Sequence, residues 1–377
     1  MARKVLFLTG TRADFGKLKS LMHALDREEG FEVHVFVTGM HVLPKYGNTG
    51  DEVEKAGFQR IFKFINQKSN DSMDNILANT IQGLSNYVDL TKPDLMVIHG
   101  DRAEALAGAI VGAFNNILVA HIEGGEVSGT IDESIRHSIS KLAHLHFVAN
   151  DEAKARLMRM GEPGGNIFSI GSPDLDLMMS DALPSLAEVK ERYEIPFEHY
   201  GIFTYHPVTT SLHNLLAKVK EVKAALLESE RDYVVIYPNN DPGSEIIIEE
   251  LEALRGNPHF RIFPSVRFEA FLVLLKHADF MIGNSSAAVR EAPFYGVCSI
   301  NIGTRQDGRC HSGCILNVHE SRVEVLEAIG QCATQRGERS THFGNGNSTE
   351  QFVNLLKDPR LWEVSVQKRF ADHPEAA

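Results

Sequence analysis

Cysteine is scarce in this chain of 377 residues: Cys298, Cys310, Cys314 and Cys332 are the whole supply, all in the last quarter. Four cysteines so placed in a chain of this length do not make a disulfide framework. Cys310-His311-Ser312-Gly313-Cys314 has a metal-site look, but no second ligand pair stands at a zinc spacing, so these read as reduced cysteines in a loop and strand. Long apolar runs are missing as well, so no segment is expected to span a bilayer. The opening Met-Ala-Arg-Lys leads into a short apolar stretch that stops at Thr9-Gly10-Thr11-Arg12-Ala13-Asp14, without the length or cleavage site of a signal peptide. A cytoplasmic protein is expected. Basic charge is in deficit, with 38 Lys and Arg against 50 Asp and Glu and a net charge of −12. That excludes the broad basic field that nucleic acid or an anionic membrane requires, while leaving room for one basic pocket. No Gly-x-Gly-x-x-Gly or Walker signature follows the first strand, which argues against NAD or ATP. Internal repeats and low-complexity tracts are absent too.

What remains is an ordinary soluble composition, 43% hydrophobic and 23% charged, in a chain too long for one ordinary core. Short apolar runs at 5–9, 32–37, 61–64, 94–99, 117–122, 146–149 and 167–170 lack strict alternation, as strands buried on both faces of a parallel sheet do. Helical stretches at 17–27, 73–90, 103–115 and 151–160 separate them. The pattern pauses at Gly171-Ser172-Pro173 through Pro184 and starts again. Strands are expected at 201–205, 233–237, 260–263, 280–283, 298–302 and 314–318, and helices at 212–229, 244–254, 268–277, 287–295 and 322–332. More than eight strands and the central pause disfavour a single α/β barrel. The spacing predicts two Rossmann-like, doubly wound α/β domains with a cleft between them.

In open parallel sheets ligands bind beyond the carboxyl ends of the strands, and six polar clusters fall there. They are Gly10-Thr11-Arg12, His99-Gly100-Asp101-Arg102, His121-Ile122-Glu123-Gly124-Gly125-Glu126, His206-Pro207, Pro238-Asn239-Asn240-Asp241 and Gly283-Asn284-Ser285-Ser286. The last opens an expected helix, a geometry that suits either a phosphate or a plain N-cap. Arg12 offers a guanidinium for the same anion. Asp101 and Glu123 each end an apolar strand, where a carboxylate is costly unless paired or used. Asp101 has Arg102 and Arg12 as ready partners. Asp132 and Arg136 stand four apart on one expected helix, compatible with a helix-start acid and a surface ion pair.

Gly10-Thr11-Arg12-Ala13-Asp14-Phe15-Gly16-Lys17-Leu18, His99-Gly100-Asp101-Arg102, the stretch 121–132 and Ser134-Ile135-Arg136-His137 resemble the hydrolysing UDP-N-acetylglucosamine 2-epimerases of sialic-acid synthesis. The resemblance continues through His206-Pro207-Val208-Thr209-Thr210, Gly283-Asn284-Ser285-Ser286, Arg290-Glu291 and Gly303-Thr304-Arg305-Gln306, nearly the whole chain. Non-hydrolysing relatives carry His-Val-Glu-Ala-Gly-Leu-Arg-Thr where this chain has His121-Ile122-Glu123-Gly124-Gly125-Glu126-Val127-Ser128, which favours the hydrolysing branch. The resemblance implies a GT-B fold with UDP held mainly by the second domain, and no redox cofactor or metal. By position, Arg12, His206, Ser285, Ser286 and Glu291 are expected to contact UDP, and Asp101, Glu123 and Asp132 to surround the sugar and carry the acid–base chemistry. Lys17, Arg102, Arg136 and Asn239, in the same motifs and clusters, are expected at the substrate. A first domain of 1–175 with the acidic set is expected, then a UDP-binding domain of 176–357, with a helix at about 358–377 packing back on the first. The family also implies a homodimer or homotetramer.

Four other readings remain at this point. They are a hydrolysing epimerase of a UDP-2,4-diacetamido-trideoxyhexose for legionaminic acid, a non-hydrolysing epimerase, a GT-B glycosyltransferase and a catalytically dead nucleotide-sugar sensor.

Overall fold

The computed structural model describes residues 2–47, 49–68, 71–309 and 313–372; Cys310, His311 and Ser312, in the cysteine-rich stretch, lie outside them. Contacts divide the chain into two compact units, one of Met1–Glu126, Asp132–Ser180 and His342–Ala377, the other of Val127–Ile131 and Asp181–Thr341.

The first unit is built on a seven-stranded parallel sheet. Its strands are β1 (Arg3–Thr9), β2 (Phe31–Val37), β3 (Ile61–Lys63), β4 (Leu95–His99), β5 (Leu118–Ile122), β6 (Leu145–Val148) and β7 (Ile167–Ser169). Their order is β3-β2-β1-β4-β5-β6-β7. Both faces of the central strands are covered, which is why β4, β5 and β6 read as mainly apolar runs. Val5 and Phe7 pack with Leu18, Leu21 and Phe352 on one side. Leu6 and Leu8 pack with Leu84, Val88 and Ala109 on the other.

The second unit repeats the plan with six parallel strands. They are β8 (Gly201–Thr204), β9 (Tyr233–Ile236), β10 (Phe260–Phe263), β11 (Phe280–Gly283), β12 (Cys298–Ile302) and β13 (Ile315–Val318), in the order β10-β9-β8-β11-β12-β13. Phe203, Val235 and Ile282 meet Val222, Ile247 and Ile329 on one face, while Ile202, Val234 and Met281 meet Val273 and Leu274 on the other. Two Rossmann-type sheets, as expected from the sequence, therefore carry the chain.

Two of the differences from expectation bear on the division of the chain and on the site. The helix that returns to the first unit is Ser348–Lys357, not 358–377. Its N-terminus is held by the Asp176 carboxylate, which accepts from the N–H groups of Ser348 at 3.0 Å and Thr349 at 2.6 Å. Phe352 of this helix sits against Phe7 and Phe147, so the second unit ends at Thr341 rather than at 357. Pro359 stops the helix because it has no N–H to donate and collides with the turn before it. A 3-10 turn, Pro359–Glu363, follows, and 364–372 is irregular. The helix expected at 287–295 is the second difference. It is split into a 3-10 turn, Ser286–Ala288, and a four-residue helix, Glu291–Phe294. Pro293 is the cause: a continuous helix would need its missing N–H to reach Val289.

Candidate active site

In both sheets the strand order reverses at one point, between β1 and β4 in the first unit and between β8 and β11 in the second. Crossover helices leave to opposite faces there, so the loops splay apart and open a crevice. Four of the six clusters singled out in the sequence follow these strands, and the other two follow the neighbouring β5 and β9.

Around β1 and β4 the expected carboxylates meet cations of their own unit. Arg136, on the helix Ile131–Leu142, is fully buried and pairs with Asp101. Its Nη1 donates to the Glu126 carbonyl at 3.1 Å. Burial works against this guanidinium, but Asp101 first, then Glu126, Glu123 and Asp132, hold its pKa above the ordinary value. So Arg136 is no surface ion pair: it is buried and is itself a partner of Asp101. Four carboxylates thus share the field of one desolvated cation.

Glu123 follows β5 with φ +67°, a left-handed conformation that costs a non-glycine residue about 1–3 kcal/mol and concentrates at functional sites. Its N–H donates to the Phe147 carbonyl at 3.2 Å, which ties the strained turn to β6. The side chain is buried, and Oε1 lies 2.9 Å from Lys17 Nζ, 3.4 Å from Ser172 Oγ and 3.3 Å from His99 Nε2. Lys17 Nζ is also 4.0 Å from Asp174, which in turn accepts from Ser172 Oγ. The structure therefore brings Lys17 to Glu123. Ser172 and Asp174 escaped the sequence reading. They lie just beyond β7, where the rule of polar residues after a strand would have found them, but the stretch read as a connection.

His121 fills the floor between the two groups. Its Nε2 is 2.8 Å from the Gly100 carbonyl, which can only accept, so the N–H is on Nε2 and Nδ1 faces Ser140 Oγ at 3.1 Å. Burial pushes its pKa down to about 3, so the ring is neutral.

The remaining expected cations of the first unit also have carboxylate neighbours. Arg12 grips Glu52 with Nε at 3.0 Å and Nη2 at 2.6 Å. The N–H groups of Gly10 and Thr11 are taken by the Asp14 carboxylate, at 3.0 and 2.9 Å, in the capping box of the helix Arg12–Asp26. Arg102 stands at the N-cap of the helix Ala103–Phe114, 3.6 Å from Glu104.

At the reversal point of the second unit, Asn284 stitches the two loops together. Its Oδ1 accepts from the His206 N–H at 2.6 Å and its Nδ2 donates to the His206 carbonyl at 2.8 Å. The preceding Gly283 has φ +132°, and a Cβ there would run into the Thr204 carbonyl, so only glycine lets β11 come this close to β8. His206 Nδ1 accepts from the Asn239 N–H at 3.0 Å, which puts the imidazole proton on Nε2. Gln306 Nε2 and Arg305 Nη1 reach the Asn284 carbonyl at 2.9 and 3.2 Å. Ser285 Oγ caps Ala287 N–H at 3.3 Å, so the cap is present, but on a single 3-10 turn whose dipole is small. Ser286 starts that turn, and Glu291 opens the short helix as a buried carboxylate. The arrangement offers hydroxyl, amide and imidazole donors in one unit, and in the other a carboxylate cluster suited to moving protons.

A family model described as UDP-N-acetylglucosamine 2-epimerase matches residues 23–357. The chain is 50% identical over 374 residues to the UDP-N-acetylglucosamine 2-epimerase of Neisseria meningitidis serogroup B, covering 98% of this chain and 99% of that one. It is 33% identical over 373 residues to the UDP-N,N'-diacetylbacillosamine 2-epimerase (hydrolyzing) of Legionella pneumophila, again covering 98% and 99%. Its fold is similar to that of a crystal structure of UDP-GlcNAc 2-epimerase from Neisseria meningitidis bound to UDP-GlcNAc. The TM-score is 0.79 at 19% identity, over 94% of this chain and 99% of that one. The fold is of the GT-B type.

Proposed function

The chain belongs to the UDP-N-acetylglucosamine 2-epimerase family, and on that premise we propose that it is a hydrolysing epimerase, converting UDP-N-acetylglucosamine and water to N-acetylmannosamine and UDP for sialic-acid synthesis. The observation that carries the proposal is the acidic cluster about buried Arg136 and Lys17, which supplies proton acceptors and donors beside fixed positive charge. Support for the hydrolysing branch comes from the 121–128 stretch and from the Legionella relative.

Carbon 2 of the sugar bears a hydrogen of very low acidity, while carbon 1 bears an excellent leaving group. As the carbon 1–oxygen bond breaks, its electron pair leaves with UDP and oxocarbenium character builds at carbon 1. The carbon 2 proton then becomes removable by a carboxylate, and its bonding pair forms the double bond of a 2-acetamidoglycal. Water adds its oxygen to carbon 1 while a proton is delivered to carbon 2 on the face that sets the opposite configuration. Asp101, Glu123 and Asp132 are assigned to these proton transfers. Lys17 and Arg136 keep charge compensation on Glu123 and Asp101 within the cluster. His206, through Nε2–H, and the hydroxyls of Ser285 and Ser286 are assigned to the diphosphate, where donors stabilise the leaving negative charge. Glu291 is assigned to ribose hydroxyls and Asn239 to holding His206. Arg12 and Arg102 are assigned to the substrate as further guanidinium groups.

The Legionella relative favours one second reading, a UDP-2,4-diacetamido-trideoxyhexose as substrate. Incubation with each sugar nucleotide and analysis of products by NMR decides between them. Free UDP with N-acetylmannosamine is expected; faster turnover of the diacetamido sugar would move the assignment to the second substrate. UDP-N-acetylmannosamine without free UDP would overturn the hydrolytic reading.

A further inference from the structure

Residues 364–372 contain no helix or strand, yet they are pinned to the first unit at four places. Val366 accepts at its carbonyl from His144 Nε2 at 3.0 Å, and His144 Nδ1 accepts from the Val119 N–H of β5 at 3.0 Å. Ala371 donates to the Gly161 carbonyl at 3.0 Å. Phe370 occupies the space where a Cβ at Gly161 would stand, with Lys141 Nζ 5.1 Å from its ring centroid.

The fourth anchor is Lys368. Its Nζ lies 2.8 Å from the Ser140 carbonyl, 2.9 Å from that of Lys141 and 2.6 Å from that of Ala143. An ammonium has three N–H groups, and three carbonyls at one helix end stand within hydrogen-bond reach of it. Carbonyls in the last turn lack intrahelical donors, and a cation beside them also complements the helix dipole. The helix is Ile131–Leu142, whose first half carries Asp132 and Arg136. Lys368 is also 2.5 Å from Glu162 Oε2, a fully buried carboxylate. Glu162 lies 2.7 Å from Lys141 Nζ and 3.1 Å from His146 Nε2 of β6, so one buried ion cluster links strap, helix and sheet.

We infer that Lys368 is a positioning residue for the acid–base cluster: by gripping the far end of Ile131–Leu142 it fixes where Arg136 meets Asp101 and where Asp132 stands. The inference rests on the cluster being the acid–base site. An α-helix of this length moves as a rod, so a loosened last turn is felt at the first. Displacement of a reacting group by about 1 Å costs roughly 100-fold in rate.

Lys368→Met is expected to lower kcat by about tenfold or more while KM for UDP-N-acetylglucosamine stays within about twofold, the pattern of lost transition-state placement. Lys368→Arg, which keeps the cation and its donors, should restore most of kcat. Amide hydrogen exchange in 131–142 should quicken in Lys368→Met, with the strands of the second unit unchanged. Because the single variant leaves Glu162 with a lost partner, the double variant Lys368→Met with Glu162→Gln keeps the test clear of an uncompensated buried charge. It should reproduce both effects. A folded double variant with kcat within about twofold of the parent, or with unchanged exchange in 131–142, would overturn the inference. A parent protein that does not turn over this sugar nucleotide would contradict the functional proposal instead, and the exchange measurement would still decide the role of the strap.

Discussion

Glu123 shows what a single residue reveals in the fold that it hides in the sequence. Its place after an apolar strand marked it as paired or working, and it is held by Lys17 and Ser172, with His99 beside it. Those partners lie up to 106 positions away along the chain, so no local pattern exposes them. Arg136 is the sharper case, since a residue four after Asp132 reads as exposed and is fully buried. Asp101→Asn, Glu123→Gln and Asp132→Asn keep size but remove the capacity to carry the proton, and should each lower turnover by roughly 100-fold or more. UDP affinity, measured by calorimetry, should hardly change, because the residues assigned to the diphosphate belong to the second unit. Near-normal turnover in all three would move the chemistry away from this cluster. The buried histidines give a second residue-scale test. Burial pushes His121 from 6.5 to about 3 and His41 from 6.5 to about 4. Both folded values lie below the unfolded one, so the unfolded chain binds more protons in this window. The stability they confer is complete above pH 6.5 and is lost as pH falls toward 4 for His41 and toward 3 for His121. Each should cost about 1.4 kcal/mol per pH unit between pH 6 and 4. Urea titrations across that range should show the midpoint falling, and a flat midpoint would mean that neither ring is held neutral.

At the level of elements, the strands were legible because the central ones are buried on both faces and each is mainly apolar. Phe260–Phe263, Phe280–Gly283 and Cys298–Ile302 match the expected spans residue for residue. Helices failed where proline interrupts an otherwise helical pattern, at Pro293 and Pro359. The first failure matters for function, because the loop after β11 then offers hydroxyls and a short turn rather than a full helix dipole. Ser285→Ala with Ser286→Ala should still weaken UDP binding by on the order of 3 kcal/mol if both hydroxyls meet the charged diphosphate. Loss of the Ser285 cap alone predicts only about 1 kcal/mol of stability. Calorimetry with UDP and thermal unfolding of the same variant separate the two effects. Unchanged UDP affinity beside a lowered melting temperature would make both serines local structure.

For the whole molecule, the doubling of one sheet plan was readable from the central pause, since each half repeats the same strand and helix alternation. The division itself was less readable. The helix Pro173–Met179 packs on Arg12–Asp26, and Ser348–Lys357 returns to the first unit, both through tertiary contacts that composition does not announce. The same order of strands in both units places the loops after β1 and β4 and those after β8 and β11 at equivalent points, acidic in one unit and carrying neutral donors in the other. That asymmetry fits a reaction in which one unit moves protons and the other receives a leaving diphosphate. In the proposed reaction carbon 2 loses its proton as UDP leaves and regains one from solvent as water adds. UDP-N-acetylglucosamine supplied in deuterated water and followed by NMR tests it most directly. UDP and N-acetylmannosamine are expected in equal amounts, with deuterium at carbon 2; N-acetylmannosamine that keeps its original carbon 2 hydrogen would rule out the elimination.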